Sequence, residues 1–307
     1  MPAPPQSRQA SSGQASSRQA SSRQEQINEV LVYLMLAQSI VFTEAGSLPA
    51  LLIPLTTDFN LTFPQQGFLG GIVYLGIAVG AAAMAGVFKR FSAHRVLTAS
   101  IATTAAMILV FGLVPAGAPN LLIFVRFCIG FGQATLSIFS PVWIERFAPK
   151  QHATKWMSWL QITVPLGIMV GYLFGWGAVA LQTGVGPGKA CFNDTFACWR
   201  VSFVVQAALI APVVHRFMRL DPSCLDVGFH SRGMVLARSD GDDGSSRGGG
   251  GVGGAVVALG MAAHCADVWS IVREFYFTVV VLLIAMMYYL VMSIQYWGTD
   301  WLVVGRG

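Results

Sequence analysis

Long apolar runs dominate this sequence, and each is long enough to cross the hydrocarbon core of a bilayer as a helix, which takes about 20 residues. Hydrophobic residues make up 54% of the chain and charged residues 11%, whereas soluble domains carry about 25% charged residues. This composition predicts an all-α integral membrane protein. Seven runs are predicted to span, at 30–55, 67–88, 96–115, 121–141, 156–181, 199–218 and 275–297.

The polar stretches between these runs predict the organisation of the chain. Near the N-terminus, "RQASSGQASSRQASSRQ" is a repeat without the apolar region of a signal peptide, which predicts a disordered tail. A Gly/Ser-rich stretch after the sixth run has one apolar patch, "VGGAVVALGMAA", which is too short to span. The predicted parts are a tail (1–29), a six-helix bundle (30–220), a cytoplasmic linker (221–273) and a seventh transmembrane helix (274–307).

Basic residues predict the orientation of the spans. Most of the 19 Lys and Arg fall in the tail, the loops 88–95 and 142–155 and the linker, and these segments share one side if the spans alternate. Because cytoplasmic loops are enriched in Lys and Arg, the N-terminus is predicted to be cytoplasmic.

Two other signals agree with this orientation. Glycosylation sequons at Asn60 and Asn193 both fall in loops predicted to be outside. Cys191 and Cys198 lie in the second of these loops, where an oxidising compartment would allow a disulfide between them. The remaining cysteines show no metal-ligand spacing, and no metal site is predicted.

The fourth run, "NLLIFVRFCIGFGQATLSIFSP", carries an arginine in an apolar setting. At helical spacing Arg126, Gly130, Gln133 and Ser137 share one face. Such a stripe predicts contact with a partner helix or a wet cavity, since a charge facing lipid is costly. The alternative is that Arg126 snorkels to the nearby membrane surface.

In the fifth run, "ITVPLGIMVGYLFGW", small residues recur at one-turn spacing. Gly167, Gly171 and Gly175 predict a seam at which two helices approach closely, and Pro165 is expected to kink the helix because it removes one backbone hydrogen bond. Plain helix packing and a gating role both fit this pattern.

One acid, Glu44, lies within the first run in "SIVFTEAGSLP". It is predicted either to pair with a cation, with Arg126 the first candidate, or to carry a proton during transport. A purely structural salt bridge is the alternative. The Gly, Ser and Pro residues at 46–49 predict a locally loosened helix beside it.

These motifs resemble a known family. Arg126-x-x-x-Gly130-x-Gly132-x-Ala134 is similar to the fourth-helix motif of the major facilitator superfamily (MFS), and the fifth-helix Gly/Pro motif resembles the Spinster-like branch. The resemblance implies a six-helix N-terminal bundle plus one helix of the second half. It also implies a secondary active transporter that works by rocker-switch alternating access. Spinster-like relatives are associated with lipid-like amphiphiles such as lysophospholipids and sphingoid phosphates.

The sequence departs from the family pattern at several positions. After the second span the superfamily expects an Asp in a charged gate loop; here Gly86 and Arg95 match, but Arg90 takes the position of the Asp. The resemblance therefore implies an altered cytoplasmic latch. Gln133 stands where the Spinster-like pattern has Glu, and residues 40–41 are Ile-Val in place of Asp-Arg. Two protonatable positions of that branch are missing.

No enzyme motif or ATP-binding loop is found, so no catalytic activity and no cofactor are predicted. The expected partners are the bilayer, a small organic or lipid-like substrate and protons, and no nucleic acid. Glu44, Arg126 and Gln133 are predicted to line the substrate and proton pathway. A transporter-like sensor or scaffold is the main alternative. A seven-helix receptor is a weaker one, because such receptors have an outside N-terminus.

The last expectation concerns length. A transporter of this family rocks two six-helix halves about a site between them, and this chain has one half and one further span. The sequence is therefore expected to be a truncated product or an incomplete gene model. It is expected to be inactive alone unless dimerisation supplies a second half.

Overall fold

The computed structural model describes residues 6–185, 197–227 and 273–304, and the chain divides into two compact units, Met1–Met234 and Val235–Gly307. Helices of the first unit are α1 (Gln6–Ala50), α2 (Leu52–Phe59), α3 (Phe63–Arg90), α4 (Ala93–Leu113), α5 (Pro119–Phe147), α6 (Ala153–Val185) and α7 (Trp199–Arg219), followed by a short 3-10 helix, Pro222–Cys224. In the second unit the described residues form α8 (Phe275–Val304). Most of the predicted linker lies outside the described residues.

Among the described residues, six helices are long and apolar enough to cross a membrane. They correspond to the first six predicted spans and comprise Ser21–Ala50, Phe63–Phe88, Ala93–Leu113, Pro119–Phe147, Ala153–Leu181 and Trp199–Arg219. This confirms an all-α, multi-pass membrane protein with a six-helix bundle. The helix predicted beyond the linker is also present as α8, whose apolar stretch is Thr278–Val291.

The N-terminal segment differs from the predicted disordered tail over residues 1–29, because α1 is helical from Gln6. Its repeat is rich in Gln, Ala and Arg, which have high helix propensity, so the chain can continue the first span outward as a helix. Among the side chains that the structure describes from Ser21 onward, the first buried one is Ile27, which is 8% exposed. The packed part of α1 therefore starts close to the predicted boundary.

The first span breaks one turn later than expected. Residues 46–49 were predicted to be loosened, yet α1 stays helical through Pro49 to Ala50. The break lies at Leu51, and α2 then runs as far as Phe59. Asn60 ends α2 in the left-handed region, at φ 51°, which Asn tolerates better than most residues.

One further boundary differs from the prediction because proline did not end the helix. Pro141 was expected to precede the loop 142–155, but α5 continues through it to Phe147 and α6 starts at Ala153. Pro165 lies inside α6, within the predicted run 156–181. Neighbouring helices can satisfy the backbone groups that a proline frees within a membrane, so such helices need not end.

The helices of the bundle pack in a repeating pattern. α1 packs along α6 and α3 along α5, while α4 contacts both α5 and α7, and α7 contacts α1. If α1 is exchanged with α5, α3 with α6 and α4 with α7, the same set of contacting helix pairs results. The bundle is thus built from two three-helix units with equivalent contacts.

At one end of the bundle, α7 is tied to two other elements. Trp199 Nε1 donates to Asp58 Oδ2 at 2.6 Å, which holds α2 against α7. Arg200 Nη1 donates to the carbonyl oxygens of Gly112, at 3.0 Å, and Val114, at 2.7 Å, at the C-terminus of α4. Arg200 lies at the start of the sixth predicted span, and its side chain is buried because it satisfies these carbonyls.

At the opposite end, the first residues of the predicted linker dock on the bundle. Trp143 Nε1 donates to the Cys224 carbonyl at 2.8 Å, and Leu225 is fully buried. Asp221 Oδ1 accepts a hydrogen bond from the Ser223 backbone N–H, which lowers the pKa of the Asp221 carboxyl. The six-helix unit therefore extends past 220, the predicted boundary.

Candidate functional site

The interior of the bundle brings together the two charges that stand out in the sequence. Glu44 on α1 and Arg126 on α5 form an ion pair between Oε1 and Nη1, with side chains 0% and 2% exposed. Because Arg126 is buried against a carboxylate, it does not snorkel to the membrane surface. Each side chain supplies the opposite charge that the surrounding hydrocarbon cannot supply.

Gln133 continues this contact along the same two helices. Its Nε2 donates to the Val41 carbonyl oxygen at 3.4 Å, and the side chain is 2% exposed. Since α1 and α5 run in opposite directions, Arg126 meets Glu44 and Gln133 meets an earlier residue of α1. The side of α1 around Glu44 therefore faces the polar residues of α5.

The predicted stripe on α5 does not have a single partner. Gly130 lies against the backbone of Val73 on α3, and Gly132, which belongs to the family motif but not to the stripe, lies against Thr104 on α4. Arg126 and Gln133 face α1 instead. Residues three or four apart share a helix face, but α5 is packed against several helices, so the stripe is divided between α1 and α3.

A hydrogen-bonded group of polar residues lies one turn further along α1. Ser47 Oγ donates to the Gly171 carbonyl oxygen on α6 at 3.0 Å. From α7, Gln206 Nε2 donates to Ser47 Oγ at 2.7 Å and to Ser202 Oγ at 3.1 Å. Sequence reasoning missed this group. Its available signal was Gln206 itself, an isolated amide within an apolar run.

Some buried acceptors near these groups have no hydrogen-bond partner in the described part of the chain. They are Gln38 Oε1, Thr135 Oγ1 and Gln206 Oε1. Buried polar atoms are normally satisfied by protein or by ordered water.

The wall of the site beside Glu44 is a close helix contact. On α6, Gly167 and Gly171 lie against the backbone carbonyls of Ser39 and Thr43, and a Cβ on either would clash with them. Gly175 lies against Ala50, where a Cβ would come within 2.6 Å. The predicted seam thus joins α6 to α1, the helix that carries Glu44.

A second close contact of the same kind was not predicted. Gly76 and Gly80 on α3 lie against the backbone of Phe127 and Phe131 on α5, and Gly130 completes the contact from the other side. The spacing Gly76-x-x-x-Gly80 is a known small-residue signal for helix pairing and could have indicated it. The two contacts correspond under the internal repeat of the bundle.

The other predicted site residues lie away from the interior. Gly86 has open space around it, and Arg90 and Arg95 are exposed at the corner between α3 and α4. Asn60 is exposed, and Cys198 is in a disulfide. Asn193 and Cys191 lie outside the described residues. Glycosylation at Asn60 and Asn193 and the Cys191–Cys198 disulfide stay predictions.

This arrangement supports binding and charge movement. It holds one acid, one base, two amides and several hydroxyls among tightly packed helices. Within the described residues, no group of three or more His, Cys, Asp or Glu could hold a metal ion. Glu44 is the one buried carboxylate among them.

Sequence and fold both match a known family. The family model of the Major Facilitator Superfamily matches residues 34–225. Human synaptic vesicle glycoprotein 2B is 28% identical over 185 residues, which is 59% of this chain and 26% of the relative. Probable sphingolipid transporter spinster homolog 1 of Arabidopsis thaliana is 25% identical over 157 residues, 51% of this chain and 28% of the relative. The chain therefore aligns with about a quarter of the length of these relatives.

Solved structures show the same fold. A bacterial homologue of the human lysosomal transporter Spinster superposes with a TM-score of 0.55 at 19% identity, covering 63% of this chain and 44% of that structure. A proton:xylose symporter superposes with a TM-score of 0.54 at 17% identity, covering 70% of this chain and 50% of that structure. Both the family model and the six-helix architecture lead to the same conclusion: the chain belongs to the Major Facilitator Superfamily.

Proposed function

We propose that the protein is a secondary active transporter that moves a small organic or lipid-like solute across a membrane by alternating access. The observation that carries the proposal is the Glu44–Arg126 pair, which is buried inside the bundle. Burying an ion pair is costly, and a well-packed apolar replacement is often equally stable. The buried pair is therefore better explained by a role in transport than by a contribution to stability.

The helix contacts around the pair fit this proposal. Most of the glycine contacts on both sides put backbone close against backbone. A rocking transporter needs helix pairs that approach closely in this way. In transporters of this kind the substrate site lies near the midplane between structural repeats.

The chemical class of the solute is proposed from the relatives. Two Arabidopsis relatives are named as probable sphingolipid transporters, and one solved neighbour is a proton:xylose symporter. The motif resemblance to the Spinster-like branch favours a lipid-like amphiphile over a sugar. Proton coupling is assigned to Glu44, because no other carboxylate is buried in the described residues.

The test begins in cells, because the solute is unidentified. Metabolites of cells lacking the protein are compared with those of cells restored with wild-type or Arg126→Leu protein. A solute that accumulates or is depleted without the protein, and recovers only with wild type, supports transport. The solute is then supplied to proteoliposomes as the direct assay. Unchanged metabolites, or a solute that fails to cross proteoliposomes, would favour a transporter-like sensor instead.

A further inference from the structure

A recess of about 380 Å³ opens at the corner between α3 and α4, at the end of the bundle opposite Trp199. Its charged lining consists of Arg90, His94 and Arg95 from the corner and Asp226 from the segment after α7. Both arginines are exposed within it. The recess shares no residue with the Glu44–Arg126 site.

An apolar groove of about 340 Å³ adjoins the recess. The two cavities have Phe91 and Arg95 in common, so the groove starts where the recess ends. Its walls include Met84 on α3, Ala99 on α4 and Phe131 on α5, all within helices of membrane-spanning length. The groove therefore opens towards lipid, and from Arg95 to Thr103 it follows α4 for roughly 12 Å at 1.5 Å per residue.

The electrostatics of the recess favour an anion. Two arginines and the first turn of α4, which begins at Ala93, present positive charge to the same space. His94 Nε2 lies 2.8 Å from the Phe217 carbonyl oxygen, so this ring nitrogen is oriented as a donor to the protein. Asp226 is the single acidic residue among the described residues of the lining. The balance is positive.

We propose that the recess and the groove together bind one anionic phospholipid of the surrounding membrane. Its phosphate lies between Arg90 and Arg95, and an acyl chain follows the groove beyond Phe91. A basic recess alone would accept any anion, and an apolar groove alone would accept any chain. Their continuity selects a molecule with an anionic head and a hydrocarbon tail. Because the corner joins α3 to α4, bound lipid would stabilise one position of these helices and so modulate the bundle.

The test measures lipid retention by native mass spectrometry of the purified 307-residue protein, titrated with dioleoyl phosphatidic acid or dioleoyl phosphatidylcholine. Wild type is expected to retain phosphatidic acid in preference. Arg90→Gln/Arg95→Gln should weaken that binding by about tenfold or more, since two charge-assisted contacts are lost. The matched control Arg146→Gln/Lys150→Gln removes two exposed charges outside the recess and should change binding less than about twofold.

Further arms separate a lipid from a free phosphate. Ala99→Phe fills the groove and should weaken phosphatidic acid binding but leave competition by glycerol 3-phosphate unchanged. Ala106→Phe, on the same helix but outside the groove, should change neither measurement. Asp226→Asn removes the acidic residue and should strengthen binding.

Equal retention of the two lipids would overturn the proposal, as would an equal loss in the control pair. Glycerol 3-phosphate competing as well as the lipid would also overturn it, by showing a site for phosphate alone. Unchanged thermal unfolding identifies the variants that remain folded.

Discussion

Glu44 and Arg126 are buried although placing a charged side chain in the membrane costs free energy. An isolated Asp, Lys or Arg at the centre of a spanning helix costs about 2.5–3.5 kcal/mol on insertion scales. The ion pair between them lowers this insertion free energy, whereas two apolar side chains at the same positions would not carry it at all. A measurement at this scale should therefore separate what the pair does for stability from what it does for transport.

We predict that Arg126→Leu abolishes transport and lowers stability by about 3–5 kcal/mol, because it leaves Glu44 buried without its partner. The double variant Glu44→Gln/Arg126→Leu should recover most of the stability and none of the transport. Thermal unfolding and uptake of each variant give the full double-mutant cycle. Restored transport in the double variant would show that the pair is only a structural salt bridge.

A second prediction concerns the proton. If Glu44 binds a proton during the cycle, wild-type uptake should rise as the pH on the entry side falls, since the protonated form is then more populated. Glu44→Gln resembles the protonated form permanently, so it should retain exchange of the solute but lose the pH dependence. Initial uptake rates at several pH values test this. A pH-independent wild type would rule out coupling through Glu44.

Helix pairing depends on the absence of side chains at a few positions. Gly171→Ala places a methyl group against the Thr43 carbonyl and should destabilise the bundle by about 1–3 kcal/mol, the usual cost of overpacking. Gly177, on the same helix, has open space where a Cβ would lie, with no neighbouring atom within 4 Å of that position. Gly177→Ala is therefore the matched control and should be neutral or slightly stabilising. Thermal unfolding in detergent measures both, and equal effects would show that the seam is not close-packed.

The same elements show what sequence could and could not predict. Six spans were predicted because length and apolarity are local properties, and Glu44 and Arg126 were noticed because charges stand out in apolar runs. Which neighbour each face meets is a tertiary property, so the division of the α5 stripe and the pairing of Gly76 with α5 were not predicted. Ser47 and Gln206 were missed because a single polar residue in a span gives no pattern until its partner is known.

At the scale of the whole molecule, the bundle has one end rich in basic residues and one end with few. Arg90, Arg95, Arg146 and Arg216 are at the first end, whereas Asn60 and Cys198 are at the other. Positive-inside bias predicts that the basic end is cytoplasmic. A single cysteine at Asn60 should then react with a membrane-impermeant maleimide on intact cells, and one at Lys150 only after permeabilisation. The reverse labelling would invert the topology.

The long-range pairing of α1 has a consequence for biosynthesis. Helices leave the ribosome in chain order, so α1 reaches the translocon while α5, which carries the partner of Glu44, is still unmade, and α6, which completes the glycine contact, comes later still. During that interval the nascent first helix carries an acid with no counter-charge. It must wait at the protein-lined exit of the insertion machinery or hold Glu44 protonated in lipid. Ribosome-stalled chains that stop after α4 should therefore be extracted from the membrane more readily than chains that stop after α6, and Glu44→Leu should abolish the difference.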